Sequence, residues 1–194
     1  MSQEELPQLP YATVDIPETF YNDLTSSPHE HCLICNRNLL EPGVMYTIEK
    51  AIRRHSEFDL TDTITEAAVC MDCMMDMQEY ISDESRQHLM EHYQKLEPMQ
   101  RARRLLDKEG YDLDNWIGEC AFTGKDLFDC SEYQISAVFS GNQMLLHFMP
   151  MMVSDVAAKD MAEKLSKETK DNLDRFMGEH FGLPPELVNL PLLL

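Results

Sequence analysis

Cys32-Leu33-Ile34-Cys35 and Cys70-Met71-Asp72-Cys73 are two Cys-x-x-Cys pairs separated by 34 residues. A two-residue gap lets both thiolates of a pair curl onto one metal ion at about 2.3 Å. The two pairs together supply four soft ligands, the number that closes a tetrahedral structural zinc site. The expected metal ligands are therefore Cys32, Cys35, Cys70 and Cys73, around a single structural Zn2+. Four protein thiolates leave no open position for water or substrate, so such an ion organises a fold and takes no part in a reaction. Other accounts of the same residues are ordinary buried thiols, redox pairs that close into disulfides, and an iron site with the same ligand set.

The residues between the pairs must form structure of their own. Val44 to Arg54 and Asp62 to Val69 have the composition of two strands, with His55 to Thr61 as the tip of a hairpin. The second pair opens a helix, since Met74, Met77 and Ile81 recur at spacings of three and four. Ser82 is a candidate cap for another helix, with Asp83 and Glu84 in its first turn and Leu89, Tyr93 and Leu96 on one face. Pro98 starts a further helix that is expected to stop at Gly110.

A knuckle with one cysteine pair, a hairpin, and a helix carrying the second pair in its first turn: that order resembles the treble-clef zinc-finger fold group over about residues 31–82. The resemblance implies a zinc held between the knuckle and a helix N-terminus, where amides and the helix dipole favour the thiolates of Cys70 and Cys73. Four thiolates on one zinc leave a doubly negative centre, which Arg37, Lys50, Arg53 and Arg54 are expected to offset in part. Folds of this group serve nucleases, ribosomal proteins, ubiquitin-related modules and adaptors, so the resemblance leaves the function open.

The second half of the chain repeats the first. Cys32-Leu-Ile-Cys35-Asn-Arg-Asn-Leu39 aligns with Cys120-Ala-Phe-Thr123-Gly-Lys-Asp-Leu127, Tyr46-Thr-Ile48 with Tyr133-Gln-Ile135, and Ala51-Ile52 with Val138-Phe139. Met77, Ile81, Ser82, Glu84 and Leu89 meet Met161, Leu165, Ser166, Glu168 and Leu173. The length difference falls at the hairpin tip, where the second half has only Gly141-Asn142, a two-residue turn signal. On this alignment the four ligands become Cys120, Thr123, Ser154 and Ala157, and one soft ligand survives. Two unrelated segments that look alike because hairpins and helices do would be the alternative.

The expected fold is therefore α+β: two tandem treble-clef-like units of knuckle, β-hairpin and helices, joined by a helical connector, with extended N- and C-terminal arms. The divisions are an acidic arm at 1–30, a zinc-binding unit at 31–97, a connector at 98–118, a metal-free degenerate repeat at 119–181 and an apolar tail at 182–194. The arm carries six acidic residues, no Lys or Arg, and enough apolar residues to lie across the folded body. The tail is proline-broken and too short to cross a membrane; it packs in a groove of its own chain or docks on another.

Composition narrows the function classes. A formal net charge of −19 on 194 residues speaks against a general binder of nucleic acid or anionic lipid, both of which require basic surface. No stretch of about 20 apolar residues is present to span a bilayer. Residues 1–30 lack a basic segment followed by an apolar one, so a cytoplasmic location is expected. Cys120 and Cys130 match no metal spacing and are expected to be buried free thiols, in preference to a second site completed by His147. His29 and His31 flank the first knuckle, and His88 and His92 share a helix face; packed or surface roles are expected for all four. The methionines of 71–77 and 144–152 read as core filling, with an adaptable groove for a partner as the alternative. Arg101, Arg103, Arg104 and Lys108 are balanced by Glu97, Asp107 and Glu109 and read as a solvated helix face. Trp116 is expected to plug the junction between the units.

Catalytic signals are missing: there is no Gly-rich phosphate loop, no Gly-x-Ser-x-Gly elbow, and no His-Glu-x-x-His helix. The expectation is a non-enzymatic, zinc-stabilised protein-interaction or adaptor protein with a protein partner, without nucleic acid or membrane; the apolar tails offer a route to self-association. A thiol-based redox or metal sensor is the first alternative, and a nucleic-acid-associated factor using the 101–108 cluster the second.

Overall fold

The structure is a computed structural model and describes residues 12–58, 60–94, 101, 104–106, 111–146 and 149–181. Strands β2 (Met45–His55) and β3 (Leu60–Cys70) form the hairpin between the cysteine pairs, in register from Tyr46↔Cys70 to His55↔Leu60. Their Thr, Ile, Val and Ala residues suit a pleated, largely covered surface. Ile64 falls out of register opposite Ala51 and Ile52, a bulge in the longer hairpin.

The second edge of β2 pairs antiparallel with β4 (Glu132–Ser140) over nine residue pairs, from Met45↔Ser140 to Arg53↔Glu132. β4 also pairs with β5 (Gln143–Leu146) near its C-terminal end and with β6 (Met151–Ser154) near its N-terminal end. β1 (Ala12–Asp15) joins β5. The fold is thus mixed α and β around a six-stranded antiparallel sheet ordered β1-β5-β4-β2-β3, with β6 also on β4. Strands from the 31–97 and 119–181 stretches share that one sheet. Gly141 makes the turn from β4 to β5 at φ +55, and a Cβ there would lie 3.2 Å from the Glu41 carbonyl oxygen, so both conformation and space call for glycine.

Strand alternation sends Tyr46, Ile48, Lys50 and Ile52 of β2 to one face and Thr47, Glu49 and Ala51 to the other. The N-terminal segment lies across the first face, as its apolar residues require. Phe20 meets Phe139 edge-on at 5.5 Å, Tyr46 stacks on Phe139 at 5.2 Å, and Lys50 Nζ donates to the Tyr21 carbonyl and to Asp23. Helices take the other face. Met74 and Met77 of α1 (Met71–Met77) and Phe176 of α5 (Lys167–Phe181) close over Thr47, Glu49 and Val69.

α2 (Asp83–Gln94) and α5 start side by side and then cover opposite halves of the molecule. His92 and Tyr93 of α2 reach Phe122 in the second half, with ring centroids 5.2 and 5.7 Å apart. Phe176 of α5 reaches Tyr80 in the first half at 6.4 Å, and Asn172 donates to the Tyr80 carbonyl at 3.0 Å. Two shorter helices are α3 (Leu113–Ile117), capped by Asp112, and α4 (Asp155–Glu163), capped by Ser154, and residues 101 and 104–106 are also helical.

Trp116 of α3 is fully buried. Arg101 departs from the solvated face expected for it. It is buried, its guanidinium donates to the carbonyls of Pro150 and Trp116, and it lies 5.6 Å from the Trp116 ring. Three buried acceptor and ring contacts hold it where the local charge pattern pointed outward. Arg104 is exposed; Arg103, Lys108 and most of the expected 98–110 helix lie outside the described residues, as do His147 and the apolar tail. Met144, Met151, Met152 and Met161 fill the core, whereas Met75 and Met90 are exposed. No helix among the described residues is long and apolar enough to cross a membrane.

Candidate metal centre

Cys32 and Cys35 bracket a tight loop. Cys32 N donates to the Arg37 carbonyl and Asn36 N to the Cys32 carbonyl, both at 2.9 Å. Asn36 closes the loop at φ +59, a left-handed conformation that asparagine tolerates better than most residues. Leu33 N then donates to the Ala68 carbonyl at 2.9 Å, docking the loop on the outer edge of β3 two residues before Cys70. Cys70 ends β3 and caps α1, whose first turn carries Cys73. The four sulfurs, one from each of these positions, all lie within 4.8 Å of one another.

That geometry fits a metal ion. A tetrahedral ion with bonds of about 2.3 Å sets its sulfurs about 3.8 Å apart, and Cys35 Sγ lies 3.7 Å from Cys70 Sγ. Cys32, Cys70 and Cys73 are buried; Cys35 is exposed. Burial opposes ionisation of Cys32, but the backbone N–H groups of Cys35, Cys70 and Ile34 outweigh it and bring the thiol down to about 7. One of these donors, Cys70 N, lies 3.4 Å from Cys32 Sγ. Cys70 and Cys73 are pushed up, first by burial and then by neighbouring sulfurs. Sulfurs this close ionise together only around a cation, which a divalent metal supplies.

The basic residues expected to offset the centre each have a partner of their own, and for Arg37 that partner lies between Cys70 and Cys73. Arg37 pairs with Asp72 at 2.7 Å, Arg53 with Glu132 at 2.8 Å, and Arg54 donates to the Phe128 carbonyl while stacking on that ring at 4.7 Å. Lys50 is held by Asp23 and Glu66. Backbone N–H groups favour the Cys32 thiolate directly, a contribution that residue spacing does not display.

No family model, curated protein or solved structure matches the chain.

The second half carries a loop of the same hydrogen-bond pattern. Cys120 N donates to the Lys125 carbonyl at 2.7 Å, Gly124 N to the Cys120 carbonyl at 2.8 Å, and Gly124 sits at φ +68. Ala121 N donates to the Met152 carbonyl at 2.8 Å, two residues before the α4 cap Ser154. Cys120 and Cys130 are buried free thiols; Cys130 donates to the Asp126 carbonyl. Among the described residues no histidine joins the sulfur cluster; His55 pairs with Asp62 at 2.7 Å, and His92 lies 3.7 Å from Asp160.

One group of ionisable residues escaped the sequence reading. Lys50, only 3% exposed, lies 3.2 Å from Glu66, its cross-strand partner, and also binds Asp23. His29 Nε2 is 3.7 Å from the same Glu66 carboxylate and has no hydrogen-bond partner. A lysine in the middle of an apolar strand, with a glutamate in the facing strand, was the available signal.

Proposed function

We propose that the four cysteines hold one structural zinc ion and that the protein is a non-enzymatic interaction or adaptor module. The observation that carries this is the convergence of Cys32, Cys35, Cys70 and Cys73 to within 4.8 Å with all four positions taken by protein sulfur. Zinc suits such a set because it has no redox chemistry of its own and accepts a closed thiolate tetrahedron. The matching loops at Cys32 and Cys120 support two treble-clef-like units, the second without metal. The docking side of the proposal rests on exposed apolar residues at the β2–β3 tip, where Phe58 is 71% and Leu60 61% exposed. Side chains of this kind anchor protein partners and are costly to leave in water.

Elemental analysis of protein purified without an affinity metal tests the first half; one zinc per chain is expected. Quantitative affinity capture tests the second, comparing the wild type with Phe58→Ser/Leu60→Ser and with Cys70→Ser. A partner recovered by the wild type and lost from the tip variant supports the proposal. Recovery indifferent to both variants refutes it.

A thiol-based sensor is the second reading, and the exposure of Cys35 favours it. Cys35 gives an oxidant or a competing thiol its approach to the centre, and its sulfur is close to that of Cys70. Zinc lost at low peroxide, with a Cys35–Cys70 disulfide found by mass spectrometry, selects this reading over the scaffold. Burial of Arg101 takes one member from the basic cluster on which a nucleic-acid role would depend.

A further inference from the structure

We infer that the loop at Cys120, together with the start of α4, is a second metal scaffold in which a hydrogen-bond cluster centred on Ser154 stands where a metal would sit. This rests on the reading of the two halves as related units, and it adds what replaced the ion in the second.

The backbone of a thiolate knuckle is intact there. The two loop-closing bonds, the left-handed residue and the dock on the adjacent strand all recur, with Gly124 in the place of Asn36 and Met152 in the place of Ala68. The amide that faces the first sulfur recurs too: Cys70 N is 3.4 Å from Cys32 Sγ, and Ser154 N is 3.3 Å from Cys120 Sγ. Only the vertices differ. Thr123 occupies the position of Cys35, Ser154 that of Cys70, and Ala157 that of Cys73.

Their contacts trace the same figure at hydrogen-bond lengths. Ser154 Oγ donates to Cys120 Sγ at 3.3 Å and lies 3.5 Å from Thr123 Oγ1, where Cys35 and Cys70 stand 3.7 Å apart. Ser154 Oγ also accepts from Ala157 N at 3.3 Å, so one hydroxyl caps α4 and ties it to the loop. Cys120, Ser154 and Ala157 are nearly or wholly buried, while Thr123 is exposed, as Cys35 is at the corresponding position of the first centre. A small polar hub thus holds the loop against the helix, the task that the ion performs in the first half.

Cobalt(II) titration of the full chain, followed by thiolate-to-metal absorbance, tests this. Thr123→Cys/Ser154→Cys/Ala157→Cys is expected to bind two equivalents where the wild type binds one. In a Cys70→Ser/Cys73→Ser background the same triple change is expected to retain one equivalent, and adding Cys120→Ser is expected to remove it. A folded triple variant that binds no more cobalt than the wild type overturns the inference. Should the triple variant fail to fold, Thr123→Cys/Ser154→Cys, which makes a three-sulfur site with Cys120, takes its place, and absence of an added equivalent there overturns it equally. A wild type that binds none, with a variant that binds one, would refute the first centre while leaving the second standing.

Discussion

Lys50 sets the terms at the scale of single residues. Its ammonium is almost wholly buried between Asp23 and Glu66 and anchors the N-terminal segment through the Tyr21 carbonyl. Removing one partner from a buried ion cluster leaves the others without compensation. Lys50→Met is therefore expected to lower unfolding free energy by about 2–3 kcal/mol, the partial exposure of Asp23 tempering the loss; urea unfolding measures it. His29 lies in the same cluster. Burial, with Lys50 adding to it, holds its pKa below the ordinary histidine value of about 6.5, against the pull of Glu66 and Asp23. A histidine with a lowered folded pKa binds fewer protons when folded than when unfolded. Its stabilising effect is whole above about pH 6.5 and is lost as the pH falls below that value. The wild type should thus lose more stability between about pH 7.5 and pH 5.5 than His29→Gln, read from paired unfolding curves; equal slopes would refute this. At this scale the cysteines were legible, because ligand spacing is local. The Lys50 cluster was not, because its members come from 23, 29, 50 and 66 and meet only once the sheet has formed.

Between elements, the junction of α2 and α5 is an interlocked pair of caps. Ser82 Oγ accepts from Ser85 N and Ser166 Oγ from Thr169 N, each at 3.2 Å. Ser82 N then donates to Thr169 Oγ1 at 2.9 Å and Ser166 N to Ser85 Oγ at 2.8 Å, while the two cap hydroxyls lie 2.8 Å apart. Ser85 and Thr169 are fully buried, so each hydroxyl relies on the other helix. Ser82→Ala and Ser166→Ala are each expected to cost about 1–2 kcal/mol. Because they share partners, the double variant should cost less than the sum by at least about 0.5 kcal/mol; strict additivity in a denaturation cycle would count against the interlock. Sequence located Ser82 as a cap and placed the hairpin within two residues of its observed ends, since caps and strand composition act over short distances. It did not show that α2 would rest on Phe122 and α5 on Tyr80. An apolar helix face says that something covers it and is silent on what.

For the molecule as a whole, β2 is the point of common dependence: it pairs with β3 on one edge and β4 on the other. The sheet therefore has two supports, a sulfur cluster at one side and nine residue pairs in the middle. Metal removal by a chelator, or Cys70→Ser, is expected to expose amides of 32–37 and 70–77 to hydrogen exchange while β4 and β6 keep their protection. Uniform loss of protection would mean that the centre holds the whole fold, as it does where metal and folding are inseparable. The β2–β4 pairing was beyond sequence reading for a physical reason. Strand composition specifies a pleated, covered surface, and the choice of partner across about 80 residues follows from packing that only the complete chain supplies.

The order in which these supports are made follows from where they lie in the chain. All four sulfurs have been synthesised by Cys73, and β3 is finished with them, whereas β4 begins at Glu132. A nascent chain growing at about 5–20 residues per second spends several seconds with the first hairpin complete and the outer edge of β2 unpaired. During that interval the ties available to the hairpin include the sulfur cluster and the Lys50–Glu66 contacts with Asp23 and His29, all of whose residues precede Cys73, and the N-terminal strand β1 waits longer still, until β5 emerges to receive it.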